Sequence, residues 1–114
     1  MIRIKRIYDT PSQNDGYRVL VDRLWPRGMS KEKASVDLWL KDIAPSNELR
    51  KWFNHEPDKW SEFKERYFAE IEERGGIPAS LKEKIKAGDV TLLYSSKELQ
   101  INNAVALKEY LENK

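Results

Sequence analysis

The run YRVLVDRL at residues 17–24 constrains the fold of this chain more than any other segment. It is rich in apolar and β-branched residues on both of its alternating faces, which is typical of a central strand that is covered on each side. The run VTLLYS at residues 90–95 indicates a second short buried strand. Sheets covered on both faces occur in α/β proteins, so we expect an α/β domain built around these two strands.

Local signals predict the remaining elements. Ile2, Ile4 and Ile7 indicate a first strand, which ends in the turn-rich stretch 9–16. Helices are predicted at residues 47–54 behind Ser46 as N-cap, at 57–74 before Gly75 and Gly76, at 78–87, and from about 96 to 113. Residues 30–43 fit both a helix and a strand, and we favour a short helix from Lys31 that passes into extended chain before Pro45.

Connection lengths bear on the directions of the strands. The long helical stretch between residues 24 and 90 suits a parallel pairing of the two buried strands. The eight-residue link at 9–16 is too short for an ordinary helical crossover, so a mixed sheet stays open. We therefore predict a small, mainly parallel or mixed sheet with helices on both faces, in a single domain spanning residues 1–114, since two half-length domains could not each bury a core.

Composition excludes several kinds of site and destination. The chain has no cysteine and one histidine, which excludes disulfides, cysteine-zinc sites and thiolate nucleophiles, and we predict no metal and no cofactor. The N-terminus lacks the apolar core of a secretory signal, and no run is long enough to span a bilayer. We expect a cytoplasmic protein with no membrane partner.

The charges are spread unevenly along the chain. The totals of 21 basic and 19 acidic side chains give a net charge of +2, which provides no attraction of the whole protein to nucleic acid. The first 33 residues, however, hold eight Lys and Arg against four Asp and Glu. Any anion site is therefore expected in the N-terminal third.

The candidate site consists of cationic residues near the end of the central strand. Arg23 and Arg27 flank that strand end, where open α/β sheets bind ligands, and guanidinium groups suit carboxylate or phosphate. A helix starting after Ser46 would add backbone N–H groups to the same field. The predicted ligand-binding residues are Arg23, Trp25, Arg27, Lys41, Ser46 and Arg50. The alternative is that the arginines only hold loops by pairing with acids such as Asp22, Asp37, Asp42 and Glu48.

Aromatic and hydroxyl residues near these positions have two interpretations each. Trp39, Trp52 and Trp60 are expected in the core, whereas Trp25, in a Pro/Gly turn, suits the rim of a site. His55, the sole histidine, suits a general acid or base or a phosphate contact, and otherwise a loop histidine held by hydrogen bonds. The loop Ser95, Ser96 and Lys97 suits an anion, unless Ser96 merely caps the following helix.

Several segments together resemble a known family. They are VDRLWPRG at residues 21–28, WLKDIAPS at 39–46, LRKWFNH at 49–55, the series Trp60, Phe63 and Tyr67, LLY at 92–94 and NNA at 102–104. Over nearly the whole chain they are similar to the YeaO-like branch of the domain of unknown function 488 family. The resemblance implies a small bacterial or archaeal cytosolic α/β protein with a largely parallel sheet, and it implies no activity. Where the wider family often has a cysteine after the last strand, this chain has Ser95 and Ser96.

Three functions stay open from the sequence. The first is a module that binds a small anionic ligand or a nucleic-acid end; the second is an enzyme with His55 as acid or base and Arg23 and Arg27 as anion stabilisers; the third is a homodimer with an aromatic seam. Convergence of Arg23, Arg27, Arg50 and His55 on one hollow would favour the first two over the third.

Overall fold

A computed structural model describes residues 1–113 of the protein. Its strands are β1 (Ile2–Arg6), β2 (Tyr17–Leu20), β3 (Leu38–Trp39) and β4 (Val90–Tyr94). Its α-helices are α1 (Lys31–Ala34), α2 (Asn47–Phe53), α3 (Trp60–Glu73), α4 (Ala79–Ala87) and α5 (Asn103–Glu112). Short 3-10 helices occur at Gln13–Asp15, Lys41–Ile43 and Pro57–Lys59. None of the helices within residues 1–113 has the length and apolar character needed to cross a bilayer.

The four strands form one sheet in the order β1-β4-β2-β3, and every pair is parallel. The possibility of a mixed sheet, which the sequence left open, is therefore wrong. The short link from β1 to β2 is compatible with parallel strands because these two strands are not neighbours. β4 lies between them. The hydroxyl of Thr91 in β4 donates to the carbonyl of Asp15 at 2.7 Å, so the link returns across the face of β4.

The two faces of the sheet are covered unequally. Alternate residues of β2 and β4, such as Val19 and Leu92, belong to the larger core cluster, to which α2, α3, α4 and α5 all contribute buried side chains. Leu20 and Leu93 point to the other face, where they pack with Ala34 of α1. Helices therefore cover both faces, as predicted, but the second face is covered by one short helix and by loops.

A buried ion network lies on this second face. Arg18 in β2 is 4% exposed and donates to Asp15 Oδ2 at 2.5 Å and to the carbonyl of Ala34 at 2.7 Å. Lys5 in β1 lies 3.1 Å from the same carboxylate. Burial raises the pKa of Asp15, but hydrogen bonds from Ser12, Lys5 and Arg18 outweigh it, so the pKa lies below its ordinary value. Part of the basic excess of the first 33 residues is thus structural.

The last helix begins later than the sequence predicts. The prediction from about residue 96 is wrong, because α5 begins at Asn103 and its N-cap is Asn102, whose Oδ1 accepts from the N–H of Val105 at 2.9 Å. The side chain of Arg6 donates to the carbonyls of Ser95 and Ser96, at 3.1 and 2.9 Å, and these carbonyls are therefore engaged outside a helix. Residues 95–102 consequently form a loop at the end of β4.

Other local predictions are confirmed with shorter bounds. The ambiguous stretch 30–43 holds a helix that passes into the edge strand β3, as favoured. Ser46 caps α2, since its hydroxyl accepts from the N–H of Leu49 at 3.1 Å. The predicted helix 57–74 is a 3-10 turn followed by α3. The central strand ends at Leu20, four residues early, because the chain turns at Asp22 toward the end of β4.

Candidate functional site

A cavity of about 750 Å³ opens at the carboxyl ends of β2 and β4, and we call it the strand-end cavity. Its walls come from residues 22–24 after β2, residues 95–98 after β4, residues 101–103 at the start of α5, and residues 44–45, 50–51 and 53–55 around α2, together with Phe63 of α3. Carboxyl ends of parallel strands meet at one edge of a sheet, so these loops converge although they are distant in sequence.

Three of the residues predicted for the site line this cavity. They are Arg23, Arg50 and His55. The loop residues Ser95, Ser96 and Lys97 line it too. The end of the central strand, the end of α2 and the loop after β4 are therefore neighbours, but Arg27, which the hypothesis places with Arg23, Arg50 and His55, does not join them.

Arg23 forms part of the wall between β2 and α2. One terminal nitrogen of its guanidinium donates to the carbonyls of Ala44 and Pro45, each at 3.3 Å. Its Nε is buried and has no hydrogen-bond acceptor in the described part of the chain. A buried N–H group without an acceptor is costly and uncommon in folded proteins. Arg23 thus lines the cavity and carries a buried donor that lacks an acceptor within residues 1–113.

His55 stands where α2 ends. Asn54 and His55 both have positive φ, 47° and 56°, and this turns the chain sharply after Phe53. Non-glycine residues with φ in this region are uncommon and often occur at functional sites. The imidazole is exposed, lies 6.2 Å from the Phe53 ring between centroids, and has no hydrogen-bond partner among residues 1–113. It faces the cavity, and no neighbouring side chain orients it.

Asp22 is the acidic residue of the cavity that joins the two strand ends. Its Oδ2 accepts from the N–H and the hydroxyl of Ser95, each at 2.8 Å, and its Oδ1 accepts from the Asn103 side chain at 3.0 Å. These three donors compensate its charge without an arginine. The Ser95 hydroxyl, predicted as an anion contact, is therefore already committed to Asp22.

The lining of the cavity is basic on balance. Four cationic side chains, Arg23, Arg50, Lys51 and Lys97, stand against the two acids Asp22 and Glu98. None of the four forms an ion pair within residues 1–113, so the pairing of arginines with acids that the sequence left as an alternative is not observed there. The sequence did not predict that Lys51 and Asn103 line the cavity. For Asn103, the N-cap pattern at residues 102–105 is the only local signal.

Comparison with known proteins places the chain in a family. Residues 1–114 match the family model of the inactive DUF488-N3 subclade. The chain belongs to this family. The resemblance drawn from the sequence is therefore confirmed over the whole chain.

Relatives of this DUF488-N3 chain are uncharacterized proteins. It is 44% identical over 112 residues to the uncharacterized protein YeaO of Escherichia coli (strain K12), covering 98% of this chain and 97% of that protein. It is 35% identical over 113 residues to the uncharacterized protein Rv3073c of Mycobacterium tuberculosis (strain ATCC 25618 / H37Rv), covering 99% of this chain and 95% of that protein. No solved structure matches.

Trp25 and Lys41, two of the predicted ligand-binding residues of the DUF488-N3 chain, belong with Trp39 to a separate aromatic cluster. Trp25 and Trp39 meet edge to face with centroids 5.4 Å apart, and Lys41 Nζ lies 5.3 Å above the Trp39 ring. The indole N–H groups donate to the carbonyls of Met29 and Asp22, at 2.7 and 2.8 Å. Trp39 is 37% exposed, so its predicted core position is wrong; it lies on a two-residue edge strand and covers Trp25 instead. Trp25 and Lys41 do not line the cavity.

Arg27 and Ser46 also lie outside the lining of the strand-end cavity. Arg27 is exposed in the turn after β2, where its carbonyl accepts from the hydroxyl of Tyr8 at 2.9 Å. The N–H and hydroxyl of Ser46 donate to the carboxylate of Glu70 in α3, at 2.9 and 2.5 Å. The N-terminus of α2 is thus directed at an internal carboxylate, and the expectation that it adds to the site is not met.

Proposed function

We propose that this protein is a binding module for a small molecule that carries a phosphate or carboxylate group, held in the strand-end cavity. One observation carries the proposal: the buried Nε of Arg23 lacks an acceptor within residues 1–113, in a cavity that also collects Arg50, Lys51 and Lys97 without paired acids. Such a set of donors is complementary to an anion, because an anion supplies acceptors for the N–H groups and neutralises the charges.

The geometry of the remaining groups supports an anionic head group. Guanidinium groups such as those of Arg23 and Arg50 recognise phosphate and carboxylate through parallel N–H bonds. The first turn of α5, at Asn102 and Asn103, lies in the same wall, and the N-terminus of a helix favours negative charge. His55 also lines the cavity, and an imidazole N–H can donate to the same anion. A terminal phosphate of a nucleic acid presents the same head group, and the tests below separate it from a small molecule.

The enzyme hypothesis receives less support than the binding module. A general acid or base is normally oriented by a second group, and His55 has no such partner in the described residues. Arg27, its proposed anion stabiliser, is not in the lining. The description of the subclade as inactive agrees with a binding role. We therefore assign His55 the role of a ligand contact in this proposal.

Thermal shift and calorimetric titration test the proposal directly. Inorganic phosphate, citrate, adenosine monophosphate and a 5′-phosphorylated oligonucleotide are titrated at low and at high ionic strength. We expect a saturable rise in Tm with at least one small anion, weakened by salt because the site is partly exposed. An oligonucleotide that binds far more tightly than the small anions would indicate a nucleic-acid end as the ligand.

Two exposed arginines provide a matched pair of variants. Arg50→Ala removes a cation that lines the cavity, and Arg27→Ala removes one that does not. We expect Arg50→Ala to weaken anion binding by about tenfold or more, and Arg27→Ala to bind like the unchanged protein. No response to any anion at low ionic strength, or an equal loss in both variants, would contradict a site in this cavity.

A further inference from the structure

Much of the strand-end cavity is apolar, which an anion alone does not explain. Leu24, Pro45 and Ile101 form part of its wall, as do Phe53 and Phe63, whose side chains are largely buried. A phosphate or carboxylate gains nothing from such surfaces, because charged groups lose hydration beside apolar atoms. The apolar wall therefore needs a separate explanation.

Leu24 is the most informative residue of this wall. It lines the cavity, yet 69% of it is exposed and it belongs to neither core cluster. The packing of the fold therefore does not explain why a leucine stands at this position. An exposed leucine in the lining of a cationic cavity offers apolar surface that a ligand can cover, and its burial favours binding.

Three rings that line the cavity, those of His55, Phe53 and Phe63, belong to a longer row of aromatic rings. Centroids of His55 and Phe53 lie 6.2 Å apart, and those of Phe53 and Phe63 lie 4.4 Å apart in a stacked arrangement. Trp60 and Tyr67 extend the row, at 5.6 and 6.0 Å from Phe63. Phe53, Phe63 and Tyr67 are buried in the core, so the cavity has packed aromatic rings in its wall beside the exposed imidazole.

The size of the cavity fits a ligand larger than a simple ion. Its volume of about 750 Å³ lies within the range of pockets that bind small organic molecules, roughly 300–1,000 Å³. Such pockets are typically lined by apolar and aromatic groups with a few polar groups that fix orientation. Here Arg23 and Arg50 supply the polar groups, and Leu24, Phe53 and Ile101 supply the apolar ones.

We infer that the ligand is an amphiphilic anion, in which a single carboxylate or phosphate head is joined to an apolar ring. This inference rests on the proposed function, since it assigns the head to the cationic wall around Arg23 and Arg50. The ring lies against Leu24, Ile101 and the edge of Phe53. Neither a bare inorganic ion nor an uncharged aromatic compound satisfies both walls.

Matched probe pairs test the inference by calorimetric titration of the whole protein. The pairs are acetate with phenylacetate, and inorganic phosphate with phenyl phosphate; phenylacetamide is the uncharged control. We expect the phenyl-bearing anion of at least one pair to bind about tenfold or more tightly than its parent ion, and phenylacetamide to bind at least about tenfold more weakly than that phenyl-bearing anion. The pair with the larger gain distinguishes a carboxylate head from a phosphate head.

Two exposed leucines separate the apolar wall from general effects on the surface. Leu24→Ser alters a residue of the cavity, and Leu99→Ser alters a leucine that is 61% exposed and does not line it. Leu24→Ser is expected to reduce the phenyl advantage, the ratio of the affinities of the phenyl-bearing and parent ions, by about threefold, whereas Leu99→Ser leaves this ratio unchanged.

The outcomes distinguish this inference from the function on which it rests. If parent and phenyl-bearing ions bind equally, the cavity is a site for small anions, and the inference is overturned while the proposed function stands. If Leu24→Ser leaves the phenyl advantage intact, the assigned apolar wall is wrong. If none of the anions binds, or phenylacetamide binds as well as the tighter of the two phenyl-bearing anions, the proposed function fails together with the inference.

Discussion

Asp22 accepts two hydrogen bonds from Ser95, one from the backbone N–H and one from the hydroxyl, each at 2.8 Å. These bonds tie the chain after β2 to the chain after β4, two segments that are 73 residues apart in sequence. Both segments form walls of the strand-end cavity. The carboxylate of Asp22 therefore defines the shape of the cavity, whereas the surrounding cations define its charge.

Replacing the carboxylate of Asp22 is expected to weaken the connection between the segments after β2 and β4. Asp22→Ala removes a charged acceptor and leaves the Ser95 N–H without its partner, so the free energy of unfolding should fall by about 2–3 kcal/mol. Ser95→Ala removes only the hydroxyl donor and should cost about 1 kcal/mol. Urea unfolding at pH 7 measures both values. Equal costs for the two variants would contradict the role assigned to the carboxylate.

The ion network around Asp15 predicts loss of stability in acid. The folded-state pKa of Asp15 lies below its unfolded value of about 3.9, so its contribution to stability is full above that value. It is lost as the pH falls through the folded pKa, because the unfolded chain then binds more protons than the folded one. Asp15→Asn should lower the free energy of unfolding by about 3 kcal/mol at pH 7, and this difference should shrink below about pH 4.

Asp89 provides the control for this pH dependence. Its pKa is also lowered, first by the hydrogen bond from Arg3 and then by the N-terminal ammonium group, but its carboxylate is solvent-exposed. Surface ion pairs contribute little to stability, so Asp89→Asn should leave the unfolding curves almost unchanged between pH 7 and pH 3. If Asp89→Asn changes the loss of stability in acid and Asp15→Asn does not, the buried network is not the source of that loss.

The sequence predicted the elements of this fold better than their arrangement. Residues 17–20, 90–94 and 60–73 have hydrophobic patterns strong enough to predict two strands and a helix, and the structure contains them. The direction of β1 could not be predicted, because it depends on β4 inserting between two strands that are consecutive in sequence. Ser96 and Asn102 are both acceptable N-caps, and the bonds from Arg6 to the loop carbonyls decide between them.

The candidate site was predictable to a similar extent. Placing Arg23 at a strand end was sufficient to locate it, because ligands bind at that edge of open parallel sheets. The sequence places Arg27 at the site because it predicts a central strand that reaches residue 24. In the structure β2 ends at Leu20, and Arg27 lies in an exposed turn outside the cavity lining. Neither the bond from Asp22 to Ser95 nor that from Ser46 to Glu70 has a local sequence signal, since each joins segments distant in the chain.

Ser46 is expected to matter for stability and not for binding. Its hydroxyl caps α2 and also donates to Glu70, so Ser46→Ala should lower the free energy of unfolding by about 1–2 kcal/mol. Because Ser46 does not line the strand-end cavity, anion affinity in calorimetric titration should remain that of the unchanged protein. A loss of affinity comparable with that of Arg50→Ala would restore Ser46 to the site.

Arg23→Lys should separate charge from geometry at the cavity wall. Lysine keeps the positive charge and can reach the carbonyls of Ala44 and Pro45, but it lacks the buried Nε donor and the planar fork of arginine. Stability should therefore change by less than about 1 kcal/mol, since the donor that is lost has no acceptor within residues 1–113. Anion affinity should nevertheless fall by about tenfold, because bidentate recognition is lost. Urea unfolding and calorimetric titration of the same sample measure the two quantities. A destabilised variant with unchanged affinity would identify Arg23 as a structural residue and remove the observation on which the binding function depends.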